Sequence, residues 1–324
     1  MRILVTGGAG YIGAHVIRAL EQSGHTVAAL DDLSTGSRSR LSPGIALFVG
    51  SLLDEAFVES SLRAHSAEAV VHIAAKKAVE ESVADPLYYY RENLVGMHRV
   101  LSAMVATGTP RILFSSSAAV YGVVSESPVI ETSPTAPSSP YGWTKLMCEQ
   151  MIRDVAAAHG ISWSALRYFN VAGTAEPKMA DRGENNLIPK VFRAITSGVR
   201  PKVFGDTYPT PDGTCIRDYI HVEDLADAHI KALEWLEKDG ESLLLNCGYG
   251  HGYSVREVID SVERVSGVTL DVREQPRRAG DPAALIARGD KVRETLGWQP
   301  KHDDLDTIVA HALAWERKLA TKLV

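Results

Sequence analysis

The chain has 324 residues, 45% hydrophobic and 23% charged, enough to bury a substantial core in one large or two modest domains. Its 34 Lys and Arg against 40 Asp and Glu leave a net charge of -6 without a dense basic run, which argues against a nucleic-acid partner. Three widely spaced cysteines, Cys148, Cys215 and Cys247, argue against a disulfide framework and read as buried free thiols in a reducing compartment.

From the N-terminus, "RILVTG", "TVAALD", "IALFVG", "AEAVVHIAA", "RILFSSS" and "SWSALRYFN" are short apolar or β-branched runs separated by helix-length segments. Strands apolar on both faces lie in a parallel sheet between helices, so the pattern predicts a doubly wound, Rossmann-like α/β fold. "RILV" meets "TGGAG" too soon to form the core of a signal peptide, and no segment has the length of a membrane span; the expected location is the cytoplasm, with no membrane partner. After Asn170 the alternation gives way to the loop-rich "AGTAEPKMADRGENN". This predicts a dinucleotide-binding domain over 1–172 and a smaller C-terminal substrate domain over 173–324, with the segment 217–248 able to return to the first. The second part contains a helix at "LIPKVFRAITSG", a strand at "LLLNCG", a helix at "SVREVIDSVERVSG" and a terminal helix near Leu305 to Leu319. Ser254 and Glu257 have capping-box spacing.

In "RILVTGGAGYIG", Gly8, Gly10 and Gly13 have GxGxxG spacing, and Gly7, Gly10 and Gly13 have GxxGxxG spacing. Glycines between a strand and a helix permit a tight turn and bring backbone N–H groups close to a pyrophosphate. Asp31 closes the next strand, 18 residues after Gly13, placed to bind ribose hydroxyls and to repel a 2′-phosphate. NAD is preferred over NADP, and Arg38 and Arg40 read as solvated loop charges.

"SSPYGWTK" places Pro140 in the first turn of a helix, with Ser138 or Ser139 as its cap. Tyr141 and Lys145, four apart, share a face, where an ammonium favours the phenolate of a neighbouring tyrosine. "LFSSSAAVYG" ends a strand with Ser115, Ser116 and Ser117, where ligands of open parallel sheets bind. His221 and His229, with Asp224 and Asp227 between them, match no compact ligand motif and read as solvated helix residues; no metal is expected.

The glycine-rich start, the strand-end serine and the YxxxK pair resemble the short-chain dehydrogenase/reductase superfamily, and the long C-terminal half resembles its extended branch. "HIAAKKAVEESVADPLYYY", "SPYGWTKLMCEQ", "LRYFNVAG", "NNLIPKV", "DGTCIRDYIHVEDLADAH" and "RRAGDPA" resemble, in that order, the UDP-galactose 4-epimerase family. The resemblance implies NAD as cofactor and a UDP-sugar as substrate, with Ser117, Tyr141 and Lys145 catalytic. Tyr141 takes the proton of the sugar 4-hydroxyl as C4 is oxidised by NAD; the 4-keto sugar turns and is reduced on its other face. Around NAD it implies Gly7, Gly10, Tyr11, Ile12 and Gly13 from the first turn, and Asp31, Asp32 and Leu52 near the adenosine. Lys77, Asn93, Tyr141, Lys145 and Tyr168 complete that set. Around the UDP-sugar it implies Ser117, Tyr141 and Asn170, with Asn186, Leu187, Phe204, Arg217, Arg278, Asp281 and Leu285. Arg217 has a second reading as an ion pair with Asp218, and Asn186 a second role as a helix cap.

Ala118 and Ala119 stand where related 4,6-dehydratases resemble one another in an Asp-Glu pair, which disfavours dehydration. Ser51 replaces an aspartate that many relatives place near adenine. Leu285 falls where glucose/galactose-restricted members carry a tyrosine, leaving room for N-acetylated hexosamines. The alternatives are epimerisation of another UDP-sugar, a nucleotide-sugar oxidoreductase that releases its product, and a dinucleotide-binding regulator, which commonly lacks the tyrosine. Relatives pair two helices across a homodimer, and Leu94, Leu101, Leu146 and Met147 lie on the corresponding helices.

Overall fold

The computed structural model describes residues 1–183, 186–238, 241–278 and 280–320, without the side chains of 315–320. Glu184, Asn185 and Ala279, which belong to motifs quoted above, lie outside the described residues.

Strands β1 (Arg2–Thr6), β2 (Thr26–Asp31), β3 (Ala46–Val49), β4 (Ala69–His72), β5 (Arg111–Ser115) and β6 (Ser162–Tyr168) are followed by four short ones, β7 (Asn170–Ala172), β8 (Lys202–Phe204), β9 (Ile216–Arg217) and β10 (Tyr219–His221). Then come β11 (Leu243–Cys247), β12 (Tyr253–Ser254), β13 (Arg273–Gln275) and β14 (Ala284–Leu285). The helices are α1 (Tyr11–Gln22), α2 (Glu55–His65), α3 (Val79–Ala84), α4 (Pro86–Tyr89), α5 (Gly96–Thr107) and α6 (Pro140–His159) in the first half. The second half adds α7 (Leu187–Ser197), α8 (Val222–Lys238), α9 (Val255–Ser266), α10 (Asp290–Leu296) and α11 (Leu305–Ala320).

A seven-stranded sheet runs in the order β11-β6-β5-β4-β1-β2-β3, every neighbour parallel. Ile3 lies between Val27 and Ala69, and Val71 between Val5 and Leu113. Because side chains alternate along a strand, Ile3, Val5, Ala29, Val71 and Leu113 bury one face while Leu4, Ala28, Leu30, Val70, Ile112 and Phe114 bury the other. Helices α1 and α8 cover the first face through Val16, Ile17, Leu20, Leu225 and Ala228. Helices α2, α5 and α6 cover the second through Val58, Leu62, Val100, Met104 and Ile152. Each fully buried Val, Leu or Ile stabilises this sandwich by roughly 1.5–3 kcal/mol of transfer free energy.

"LLLNCG" becomes β11 and joins the main sheet beside β6, while "SWSALRYFN" divides at Phe169 into β6 and β7. The short strands pair as β7 with β10, β8 with β13, and β9 with both β12 and β14. Helix α9 starts as its spacing predicts: Ser254 Oγ accepts from the Glu257 amide at 3.1 Å and the Glu257 carboxylate accepts from the Ser254 amide at 2.7 Å. Strand order reverses between β1 and β4, and the carboxyl ends of those two strands open the crevice that carries the site.

Candidate active site

The loops after β1, β2, β4, β5 and β6 meet segments of the C-terminal half around a cleft of about 460 Å³. Gly7 has φ +68°, and a Cβ there would lie 2.7 Å from the Ala74 amide; a Cβ on Gly13 would lie 2.1 Å from the Gly7 carbonyl oxygen. Only glycines let β1 turn this tightly into α1. Gly10 caps α1 without a side-chain bond and the first turn holds no acidic residue, so its amides and the positive end of the helix dipole suit a diphosphate. Gly7, Gly10, Tyr11, Ile12 and Gly13 all line the cleft, as do Asp31, Asp32 and Leu52.

Asp31 is buried at the end of β2, its carboxylate accepting from the amides of Ala9 (2.9 Å) and Leu33 (2.8 Å). Burial pushes its pKa up and the two amides pull it back. The spare lone pairs of this fixed acceptor suit sugar hydroxyls, and its charge disfavours a 2′-phosphate. Arg38 is exposed, as expected, but Arg40 is not the solvated charge expected. Arg40 is 5% exposed and donates to the carbonyls of Ala9, Thr35 and Ala180, while Arg38 donates to those of Ile45 and Pro43. A guanidinium carries five donors, and backbone carbonyls that need partners have drawn Arg40 inward, while Arg38 bonds its two carbonyls from the surface.

Ser139 caps α6 through the Gly142 amide at 3.2 Å, with Pro140 in its first turn. Tyr141 and Lys145 then face the cleft from a buried helix face, with Ser117 opposite at the end of β5. Burial pushes the Tyr141 phenol above its ordinary value, and a hydrogen bond with the Ser117 hydroxyl pulls it back. Burial lowers the Lys145 ammonium to about 8, against the raising influence of Cys148 and Glu149. Lys145 Nζ donates to the Ser115 carbonyl at 2.7 Å and sits 4.8 Å from the Phe114 ring centroid. The expected tuning of Tyr141 by Lys145 is thus less direct than the helical spacing suggests, because the carbonyl at the end of β5 holds the ammonium.

Behind these groups lies a buried network that sequence reasoning missed. Glu149, one turn beyond Lys145, receives Arg167 of β6 through both oxygens (2.9 and 2.6 Å) and the Ser116 hydroxyl at 2.5 Å. Arg167 reaches the Tyr121 hydroxyl at 3.1 Å, which donates to Asn246 of β11 at 2.6 Å. One connected set of bonds therefore fixes β5, β6, β11 and α6 around the serine run. The available signal was weak: an acid four residues past the lysine and an arginine inside an apolar strand.

Lys77 and Tyr168 line the cleft, but Asn93 does not. Asn93 sits in a π-helical turn over Tyr90–Val95 and bonds the Lys76 backbone through N–H (2.8 Å) and C=O (2.9 Å), and Thr144 at 3.0 Å. Its structural task is to hold the loop that carries Lys77. Cleft-lining residues not singled out from the sequence include Ser34, Ile73, Ala74 and Phe169. The rule that ligands sit at strand carboxyl ends would have found the last three.

On the other wall, Asn170, Asn186, Arg217, Asp281 and Leu285 line the cleft. Leu187, Phe204 and Arg278 lie outside its lining: Arg278 stacks on Phe204 (4.0 Å to the ring centroid) and pairs with Glu80 of α3 at 3.3 Å. Arg217 pairs with Asp281 and not with Asp218, which is fully buried and accepts from the amides of Tyr249, Gly250 and Ala287. Burial raises Asp218 to about 6 against those three bonds. Asn186 occupies the cap position of α7 without a side-chain cap bond, donating instead to Asp181.

His221, Asp224 and His229 are buried, not solvated as expected, because α8 and β10 are covered by α10, α11 and the sheet. His221 Nε2, His311 Nδ1 and a Glu223 oxygen lie within 4.8 Å of one another. His221 Nδ1 accepts the Glu223 amide (3.1 Å), so its proton sits on Nε2 and points at His311 Nδ1 (3.0 Å). That tautomer donates where a ligand nitrogen would have to accept. The cysteines are free and buried.

A doubly wound sheet with a glycine turn, an acidic strand end, and a serine, tyrosine and lysine at its switch point defines a dinucleotide-dependent enzyme. The model of the NAD dependent epimerase/dehydratase family matches residues 3–248, and the chain belongs to that family. A UDP-glucose 4-epimerase of Azospirillum brasilense is 49% identical over 324 residues, 98% of this chain and 92% of that protein. The crystal structure of a Stenotrophomonas maltophila UDP-glucose-4-epimerase with bound NAD and formylated UDP-arabinopyranose superposes with a TM-score of 0.94 at 37% identity, covering 99% of each chain. A UDP-Glc/GlcNAc 4-epimerase of Campylobacter jejuni gives 0.86 at 42% identity, covering 98% of this chain and 99% of that one.

Proposed function

We propose that the protein is an NAD-dependent isomerase that inverts C4 of a UDP-hexose, interconverting UDP-galactose and UDP-glucose through a transient 4-keto sugar. The observation that carries this reading is the Ser117–Tyr141 pair, set between the glycine turn at one end of the cleft and Arg217, Asp281 and Leu285 at the other. Bound NAD supplies the two-electron acceptor and donor that oxidation and re-reduction at C4 require. The first-turn amides of α1 hold its diphosphate, Asp31 its adenosine ribose, and Lys77, Lys145 and Tyr168 its nicotinamide end. Ser117 Oγ orients the 4-hydroxyl. The Tyr141 oxygen takes the hydroxyl proton and returns it. Since burial favours the neutral phenol, the positive charge of Lys145 matters most at the moment the phenolate forms. Arg217 and Asn186 anchor the UDP end, so the reacting sugar turns without leaving.

In this reading residues 1–172 with 217–248 form the NAD lobe and the rest the UDP-sugar lobe, and the protein works in the cytoplasm. No helix of the described residues is long and apolar enough to cross a membrane. A second copy covers the face where Val83, Leu87, Trp143 and Met147 are exposed, Leu87 by 79%; light scattering at the mass of one chain would remove this proposal. Leu101 is core and takes no part. A wider substrate range has its own support: Leu285, an aliphatic side chain, lines the sugar end, and the Campylobacter relative is a UDP-Glc/GlcNAc 4-epimerase. No turnover of UDP-N-acetylglucosamine at high enzyme concentration would refute that extension.

The deciding experiment incubates pure protein with UDP-galactose, separates the UDP-sugars and records NADH absorbance. UDP-glucose without NADH accumulation supports the isomerase. Stoichiometric NADH with a released keto sugar supports an oxidoreductase instead.

A further inference from the structure

Lys76 lines the cleft beside Lys77, and the reading above gives its side chain no task. Its ammonium donates to the Ser34 hydroxyl at 2.9 Å and lies 3.9 Å from an Asp32 oxygen. The two ends of this contact belong to different loops: Lys76 follows β4, whereas Asp32 and Ser34 follow β2. In the sheet β1 separates those two strands, so their ends stand about 10 Å apart, and between them β1 runs into the glycine turn. The lysine side chain therefore bridges from one side of the glycine turn to the other, and Gly7, Gly10, Asp32, Ser34 and Lys76 all belong to the cleft lining.

Both ends of the bridge are anchored. The Lys76 amide donates to Asn93 Oδ1 (2.8 Å) and its carbonyl accepts from Asn93 Nδ2 (2.9 Å), which also reaches Thr144 of α6 (3.0 Å), so the half-buried side chain is the moving part. On the far side, the Ser34 hydroxyl gives its one hydrogen to Asp32 Oδ1 at 2.7 Å, and the Ser34 amide donates to the same oxygen at 2.9 Å. The hydroxyl lone pairs are thereby left for the ammonium, which makes the closing bond a charge-assisted one. The Tyr88 ring centroid lies 5.8 Å from the ammonium and Tyr88 is not part of the lining, so its face gives the cation a seat off the cleft when it leaves Ser34.

We propose that Lys76 is a latch on the cofactor cleft: by joining the loop after β4 to Ser34 and Asp32 it closes the adenosine end, and NAD enters and leaves only when the ammonium lets go of Ser34. This rests on NAD as the cofactor and is independent of which UDP-sugar is turned over. A lysine side chain opens and closes far faster than a bound dinucleotide leaves, so the latch scales entry and exit by one factor, the fraction of time it stands open, and leaves the affinity unchanged. A lysine that bound the diphosphate would behave differently, since its loss would raise the exit rate and weaken binding together. Removing a cation also weakens the steering of an anionic cofactor, which by itself slows entry, so faster entry is the mark of a latch.

The test uses NADH-loaded protein and the fluorescence of bound NADH. Chase with excess NAD gives koff, stepwise dilution gives Kd, and their ratio gives kon. Lys76→Met keeps the backbone bonds to Asn93 and most of the side-chain length but not the charge; koff should rise roughly threefold to tenfold with Kd within about twofold, so that kon rises as well. If koff and Kd rise together, Lys76 is a ligand of the cofactor, and if koff is unchanged, it closes nothing; either result overturns the proposal. Ser34→Ala, at an exposed loop position, removes only the far end of the bridge and should raise both rates by a similar factor. Lys76→Met combined with Ser34→Ala should go no further than the single variants, because both remove one contact, and multiplied effects overturn the latch. Failure of the wild type to hold NADH removes the cofactor site and the latch together, whereas a wild type that holds NADH but turns over no UDP-galactose leaves the latch to be decided by the rates above.

Discussion

The two walls of the cleft are built differently. The wall carrying Ser117, Tyr141 and Lys145 hangs from strand ends and a helix start, and behind it Glu149 and Arg167 pair with side chains only 1% and 3% exposed. The facing wall hangs from two-residue strands and loops; its Arg217–Asp281 pair is 12% and 26% exposed, and the Arg278–Glu80 pair just outside the lining is 39% and 77% exposed. The difference matches the tasks. Proton transfer tolerates little displacement, whereas a wall that admits, turns and releases a sugar nucleotide benefits from contacts that exchange cheaply.

The strongest way to break this comparison is at Tyr141. Tyr141→Phe keeps the ring and removes the oxygen, so kcat for UDP-galactose should fall by about 10²–10⁴ while NAD retention and the unfolding midpoint barely change. A variant with more than half the wild-type rate would move proton transfer to another group. Next comes the buried pair. Glu149→Leu leaves Arg167 charged and unpaired inside the fold and should cost about 3–5 kcal/mol in urea unfolding, whereas Glu149→Leu combined with Arg167→Leu should recover much of that. A loss below about 1 kcal/mol would mean water reaches the network and that the wall is less rigid than its packing implies.

The contrast also governs what could be read from the sequence. The glycine turn, Asp31, the serine run and the Tyr141–Lys145 pair were legible because each is a local pattern whose spacing is set by one turn or one helix. Parallel strands announced themselves by apolar runs, and the cap of α9 by two residues. Arg217 with Asp281, and Arg278 with Phe204 and Glu80, join residues far apart in sequence, and no period encodes them. The buried histidines were misread for a related reason. "HVEDLADAH" has the polarity of an exposed helix, yet Asp224 satisfies the amides of Lys301 and His302 and the Tyr249 hydroxyl, so the polar groups of α8 are consumed by tertiary contacts.

Those histidines give the next test. Burial lowers His15 and His229 to about 4, His72 to about 3 and His221 to about 2, with Lys145 adding to the effect at His72 and Arg18 and Arg40 at His15. An unfolded histidine titrates near ~6.5, so below that pH the unfolded chain binds protons that the folded one refuses. The stabilisation is therefore complete above pH ~6.5 and is lost as pH falls from there towards the folded values, by up to ~1.4 kcal/mol per pH unit for each histidine. Thermal unfolding followed by circular dichroism should be level from pH 7 to 8 and fall steeply below pH ~6. His229→Gln should reduce the slope by one proton's share. A level profile down to pH 5 would show that these rings take up protons without loss of the fold.

The smallest effect is expected on the adjustable wall, at Glu80. Its pairing with Arg278 joins α3 to the loop before β14, beside the cleft-lining Val79 and Gly280, and both side chains are exposed. An exposed pair of this kind contributes about 0–1 kcal/mol and weakens as salt screens it, so Glu80→Gln should leave the unfolding midpoint unchanged. Its consequence for function has the opposite sign from that of any change on the rigid wall. If the Arg278 guanidinium leaves Glu80 to meet the UDP diphosphate, removing the competing carboxylate should lower KM for UDP-galactose, by about twofold at low ionic strength and not at all at ~0.5 M salt, with kcat constant. A raised KM would instead make Glu80 part of the seat of the arginine, and the second wall would then be as fixed as the first.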